Sequence, residues 1–250
     1  MADAFESRFG AEAEILQRTP WTLISAAQKG QAGAFEKAVE RIYALFAGAV
    51  RSFLRARGFR TEEANDLAQE FFSTLLERRF LERLDPAKGR LRPFLYASLR
   101  RFLCDSLDKR DARKRRPEGG LVSLDRLRDE FRAAAEDGSP SAPDRQFSRA
   151  WAGEILGRAL ERMKRRVEGT PQEAWYRAVV LWHEVAGAPG APSYADLGRA
   201  LGVTPQGAAN YLFRGRGLLR TLLLEELKVY CAGEDELSAE VGELFDALGG

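Results

Sequence analysis

Apolar side chains recur along this chain at three- and four-residue steps and almost never alternate. That spacing suits helices and leaves a sheet nothing to pair. Phe35, Val39, Ile42, Tyr43, Phe46 and Val50 trace one such stripe. It predicts an amphipathic helix that runs to about Arg57 and stops at Gly58. Thr61 as N-cap, with Glu62 and Glu63 near the positive end of the helix dipole, predicts a second helix with an inner stripe of Ala64, Leu67, Ala68, Phe71, Leu75 and Leu76. Asp85-Pro86-Ala87-Lys88-Gly89 then interrupts the pattern, and Pro93 suits the first turn of a third helix carrying Phe94, Leu95, Leu99, Phe102 and Leu103. The expected fold class is all-α.

At about 150 residues per domain, 250 residues suit two units. Pro117, Gly119, Gly120, Gly138, Pro140 and Pro143 punctuate a flexible linker with a short helical patch over 124–135. The expected division is an N-terminal tail (1–18), a first helical domain (19–116), the linker (117–145), a second helical domain (146–228) and an acidic C-terminal tail (229–250). Trp151, Ile155, Leu156, Ala159, Leu160 and Met163 open the second domain. Trp175, Trp182 and His183 belong to its expected core.

Ser193-Tyr194-Ala195-Asp196 is a capping-box variant that starts a short helix with Leu197 and Leu201 inside. Gly202-Val203 turns the chain, and Thr204 as N-cap with Pro205 at the first helical position starts another helix with Ala208 and Leu212 inward. A short helix, a Gly turn and a longer helix form the layout of a helix-turn-helix, which an ordinary helical hairpin shares. Gly215 and Gly217 each cost about 1 kcal/mol relative to Ala in a helix interior, so this second helix is expected to bend or fray.

The charges are segregated. Residues 100–116 hold eight Lys or Arg against three Asp, whereas in residues 225–250 Lys228 alone opposes eight acids. In the tail, Leu237, Val241, Leu244, Phe245 and Leu248 fall at helical spacing. This amphipathic helix is expected to pack on the second domain, with a cover over the basic helix-turn-helix or a contact with a regulator as the alternatives.

Several function classes are excluded. No stretch reaches the roughly 18 apolar residues of a membrane span, and residues 1–18 have neither a cationic leader nor an apolar run of about 7–15 residues. Cys104 and Cys231 are too few for a disulfide framework, so the expected location is cytoplasmic. His183 is the only histidine, and His183-Glu184 lacks the second ligand of a zinc-protease motif because Gly187 stands there. No phosphate-cradling loop or nucleophile elbow occurs. The expectation is a non-catalytic chain with no cofactor and no metal site.

Asp66-Leu67-Ala68-Gln69-Glu70-Phe71-Phe72, followed by Leu84-Asp85-Pro86-Ala87-Lys88-Gly89-Arg90-Leu91-Arg92-Pro93-Phe94-Leu95, resembles region 2 of extracytoplasmic-function sigma factors of bacterial RNA polymerase. Ser193-Tyr194-Ala195-Asp196-Leu197 with Leu201-Gly202-Val203 is similar to their region 4. The resemblance implies that Asp66, Gln69 and Glu70 dock on the clamp helices of core RNA polymerase, and that region 4 meets the flap. It implies that Lys88, Arg90 and Arg92 surround a flipped base of the −10 promoter element, with Arg100, Arg101, Lys109 and Arg110 on adjacent phosphates. In the helix-turn-helix it points to Thr204, Gln206, Asn210, Phe213, Arg214 and Arg216 as DNA-binding residues. At Ala209, Asn210 and Tyr211 the family usually carries Lys or Arg, so −35 recognition is expected to be weak. Expected partners are core polymerase, promoter DNA and an anti-sigma factor or other recruiting protein, with no membrane. Two other readings stay open: a helix-turn-helix regulator of duplex DNA, and a polymerase-binding adaptor without promoter reading.

Overall fold

The computed structural model describes residues 20–77, 84, 90–113, 142–186 and 193–249, except for the side chains of 107–113, 142–144 and 184–186. Among the described residues every regular element is a helix. In chain order these are α1 (Pro20–Gln28), α2 (Ala34–Ala56), α3 (Thr61–Glu77), α4 (Leu91–Arg113), α5 (Ala142–Val167), α6 (Glu173–Ala186), α7 (Tyr194–Leu201), α8 (Pro205–Lys228) and α9 (Glu234–Gly249). The tail 1–18, the loop 85–89, the helical patch 124–135 and most of the expected linker lie outside the described residues.

The chain divides into two units, Met1–Glu154 with Lys228–Gly250, and Ile155–Leu227. This differs from the expected boundary in the linker. Helix α5 begins at Ala142, inside the expected linker, and its first part belongs to the first unit. The reason is aromatic packing: Phe147 lies 5.8 Å from Phe53 and 4.9 Å from Tyr96, centroid to centroid. Trp151 is fully buried, and its indole N–H donates to the Tyr230 hydroxyl at 3.1 Å.

In the first unit α2 supplies the longest stripe, with Phe35, Ile42, Phe46, Val50, Phe53 and Leu54 buried. It ends as the sequence predicts. Gly58 takes a left-handed φ of 91°, its N–H reaches the Arg55 carbonyl at 2.9 Å, and the Phe59 N–H reaches that of Leu54 at 3.3 Å. That pair of bonds closes the last turn, and a side chain at Gly58 would strain it. Two expected core residues are partly exposed: Tyr43 (42 %) and Leu76 (38 %) stand at the margins of their stripes. Helix α3 is capped one residue earlier than expected. Thr61 is its first helical residue, and the Arg60 N–H donates to Glu63 Oε2 at 3.2 Å. Pro93 sits in the first turn of α4, where the Phe94 N–H donates to the Arg90 carbonyl at 3.3 Å.

The acidic tail also departs from expectation. It forms α9, but it belongs to the first unit rather than packing on the second. Leu237 and Leu244 are buried there, and Glu240 is completely enclosed.

The second unit comprises the rest of α5 with α6, α7 and most of α8. Ile155, Ala159, Met163, Val179, Leu197, Ala208 and Leu212 form its core. Arg158 and Arg162 of α5 pair with Glu226 at 2.9 and 2.8 Å, and Arg162 also meets Glu225 at 2.6 Å. His183 is exposed, and Trp175 and Trp182 are half-buried, so these three do not form the core expected of them. Helix α8 runs through Gly215 and Gly217 without a break. At Gly215 a Cβ would lie 2.5 Å from the Trp175 carbonyl oxygen and 2.7 Å from Val179 Cγ2. The missing side chain lets α8 approach the α6 backbone, and this packing offsets the low helix propensity.

Candidate functional site

The first candidate surface is the outer face of α3. With Leu67, Ala68, Phe71, Phe72 and Leu75 on the buried side of α3, Asp66, Gln69 and Glu70 at i, i+3 and i+4 share the opposite side and are all exposed. A cavity of about 580 Å³ runs along α2 and α3, with Glu36, Glu40, Tyr43, Gln69, Phe72 and Leu76 in its wall. Tyr43 meets Phe72 edge-on at 4.9 Å. The face is therefore wider than the sequence predicts, because α2 contributes two carboxylates and an exposed ring. The sequence pattern counts Tyr43 and Leu76 as buried, and the signal that sets them apart is their place at the stripe margin, one position along from Ile42 and Leu75. A second cavity of about 240 Å³ separates α3 from α4, with Glu70, Phe71, Phe94, Ser98, Arg101 and Asp105 among its lining.

The second candidate surface, the start of α4, is enclosed. Arg92 is buried, with 5 % of its side chain exposed, and its Nε donates to Glu240 Oε2 at 2.7 Å. Its Nη2 lies 2.7 Å from Glu243 Oε2. Arg90 places Nη1 and Nη2 each 3.1 Å from Glu240 Oε1 and Glu243 Oε1. The Leu91 N–H, one of the amides that the helix start leaves free, donates to Glu236 Oε1 at 3.3 Å. Tyr230 completes the network by donating its hydroxyl to Glu240 Oε2 at 3.0 Å. The Arg92 guanidinium also lies over the Trp151 ring, 4.5 Å from its centroid.

The electrostatics follow from this enclosure. Burial opposes the charge on Arg92, but Glu240 and Glu243 overcome it and raise its pKa. Burial likewise works against ionisation of Glu243, and the Arg92 and Arg90 guanidiniums win, holding its carboxyl below the usual range. Next to the network, burial together with the Glu236 and Glu240 charges pushes the Cys231 thiol up to about 12.

The other basic residues assigned to this region are dispersed. Arg101 is exposed beside the smaller cavity, and Arg100 is half-buried with its guanidinium 5.9 Å from the Tyr96 centroid. Lys88 lies outside the described residues, as do the side chains of Lys109 and Arg110.

The third candidate surface is the segment of α7, the turn at Gly202 and α8 in the second unit. Ser193 caps α7 by accepting the Asp196 N–H at 3.1 Å, and its hydroxyl donates to the Asp196 carboxylate at 2.5 Å. That hydroxyl bond, aided by Arg199, lowers the pKa of Asp196. Gly202 adopts a left-handed φ of 70° and closes α7. A Cβ at Gly198 would lie 2.8 Å from the Val203 carbonyl oxygen, so the turn folds tightly over α7. Thr204 then caps α8 by accepting the Gly207 N–H at 3.2 Å. With Ala208 and Leu212 inward, Thr204, Gln206, Asn210, Phe213, Arg214 and Arg216 are all exposed, Phe213 by 80 %. Arg214 lies 5.6 Å from the Trp175 ring centroid and Arg216 5.4 Å from that of Trp182. The two tryptophans read from sequence as core thus support two of the exposed cations.

Among the described residues no cluster of His, Cys, Asp or Glu could hold a metal ion, and no helix is long and apolar enough to cross a membrane.

Residues 42–113 match the family model for sigma-70 region 2. The match runs from within α2 to the end of α4 and includes every residue assigned above to polymerase docking or −10 binding. Over these residues the chain is similar to region 2, a helical domain of the sigma-70 sigma factors. This similarity supports a sigma-70 family sigma factor. Neither a curated protein nor a solved structure matches the chain significantly.

Proposed function

We propose that this chain is an alternative sigma factor of the extracytoplasmic-function type, a cytoplasmic, non-catalytic subunit that directs core RNA polymerase to its promoters. The observation that carries the reading is the exposed Asp66, Gln69 and Glu70 face within the residues that match sigma-70 region 2. Two carboxylates and an amide on one helical face suit a partner rich in arginine, through charge-assisted hydrogen bonds. That partner is the clamp-helix element of core polymerase, and Glu36, Glu40 and Tyr43 extend the contact.

In this reading Lys88, Arg90, Arg92, Arg100, Arg101, Lys109 and Arg110 serve the −10 element. Capturing an unstacked base offsets an opening cost of a few kcal/mol and selects sequence without ATP. The outer face of α8 meets the −35 element and docks near the polymerase flap. Gln206 and Asn210 offer amides suited to adenine, Phe213 offers apolar contact to a thymine methyl, and Arg214 and Arg216 suit guanine or phosphate. With few cations among them, −35 recognition is weak and a recruiting partner or anti-sigma factor has room to act.

The test is transcription by core RNA polymerase from a library of genomic fragments, with and without the purified chain. Defined start sites that vanish in an Asp66→Arg/Gln69→Ala variant are the expected result. Core binding without initiation would point to an adaptor, and stable dimers on a palindromic duplex without core binding to a conventional regulator.

A further inference from the structure

We propose that α9 is an internal latch that occupies the nucleic-acid surface of the region 2 domain and must leave before Arg90 and Arg92 can engage DNA. The inference rests on the reading of those two arginines as −10 contacts. Glu236, Glu240 and Glu243 fall at i, i+4 and i+7, so one face of α9 presents a row of three carboxylates. All three are used at the start of α4. Glu240 and Glu243 each bridge both arginines, and Glu236 accepts the Leu91 amide.

A guanidinium fork and a free helix N-terminal amide are also what a phosphodiester recognises. The α9 face therefore takes both Arg90 Nη atoms, Arg92 Nε and the Leu91 amide, donors that a DNA strand would use, while Arg92 Nη1 reaches Ser148 Oγ of α5 at 3.4 Å. Its hold is not a surface ion pair, because Glu240 is fully buried and shares its carboxylate with Tyr230, itself bonded to Trp151. Leu237 and Leu244 fix the helix on the apolar side. DNA and Glu240 cannot both take Arg92 Nε, and the side chain is 95 % enclosed by α9 together with Ser148 and Trp151 of α5.

The experiment compares binding of a fluorescein-labelled, mixed-sequence single-stranded 20-mer by the full chain and by a chain ending at Gly233, which keeps Tyr230. Two triple variants separate the latch from net charge. One is Glu236→Gln/Glu240→Gln/Glu243→Gln; the other, removing the same charge from exposed positions, is Glu234→Gln/Asp235→Asn/Asp246→Asn. The latch predicts that the shortened chain and the first triple bind at least about tenfold tighter than the full chain. It also predicts that the second triple gains much less, and that Arg90→Ala/Arg92→Ala removes the gain. Equal gains for both triples would overturn the latch in favour of general electrostatics.

Hydrogen exchange on the unaltered full chain decides the matter even if the shortened chain fails to fold. Saturating probe should strip protection from residues 234–249, and full protection in the bound state would refute the latch. If the shortened chain binds no tighter but still loses binding with Arg90→Ala/Arg92→Ala, the latch fails and the DNA reading stands. If those substitutions change binding in no background, the DNA reading of the arginines fails and the latch with it.

Discussion

Two pairs of arginines, one pair in each unit, are held in opposite ways. In the first, Arg90 and Arg92 are drawn into a row of carboxylates, and Arg92 is buried between Glu240, Glu243 and the Trp151 ring. In the second, Arg214 and Arg216 lie over half-buried indoles, and their residues remain exposed. A carboxylate neutralises a guanidinium and competes with phosphate for it, whereas an aromatic face steadies the side chain and leaves its charge to the surroundings. The same side chain is thus locked in one place and displayed in the other, and the partner sets the difference.

The largest effect should come from removing the centre of the lock. Glu240→Ala leaves the Arg92 charge buried with a damaged partner set, which typically costs about 3–5 kcal/mol. Urea-dependent hydrogen exchange at the α4 amides should show that loss, while the amides of α6 and α7 change little. An unchanged α4 would mean that the carboxylate network contributes nothing to the first unit.

Next in size is a contrast within α8. Gly215→Ala forces a Cβ against the Trp175 carbonyl and should destabilise the second unit by about 1–3 kcal/mol. Gly217→Ala meets no atom within 4 Å and should stabilise it by up to about 1 kcal/mol through helix propensity. Thermal melts of the pair test whether close packing or helix propensity governs this helix.

Removing the display should cost less. Trp175→Leu deletes one aromatic support, and at an exposed site a cation–π contact is worth about 0.5–1 kcal/mol. The readout is the affinity of the second-unit surface for duplex DNA at low salt, with Arg214→Ala as the reference. An effect for Trp175→Leu that persists in the Arg214→Ala background would show that the ring acts otherwise.

The smallest effect is acidic destabilisation. Glu243 has a folded pKa below its unfolded value, so its contribution is present above the unfolded pKa and is lost as pH falls through the folded one. Glu243→Gln should therefore flatten the loss of stability below the ordinary glutamate range, about pH 4.3, and leave its slope near neutrality unchanged. A steeper acid limb would contradict the pairing.

The caps and turn joining α7 to α8 were legible because their signals are local. Ser193, Gly202, Thr204 and Pro205 each act within about one helical turn, and the structure places caps and turn at those residues. The face of Asp66, Gln69 and Glu70 was legible for a related reason, since i, i+3 and i+4 share one side of a helix, here the side opposite Leu67 and Phe71. Tyr43 and Leu76 were misplaced because stripe position sets direction, while the neighbouring helices set how far burial extends.

Arg92 was legible as a cation beside a proline, and its fate was not. Its partner Glu240 lies 148 residues away, and nothing near either residue marks the pairing. The same holds for Gly215, whose cost in an isolated helix is evident but whose benefit exists only where α6 passes over it. Helix limits and outward faces depend on periodicity and capping over a few residues, so the order of amino acids determines them directly. Which acid meets which arginine, which unit receives α9 and where a glycine is needed depend on how distant apolar faces come together, and only the assembled core decides them.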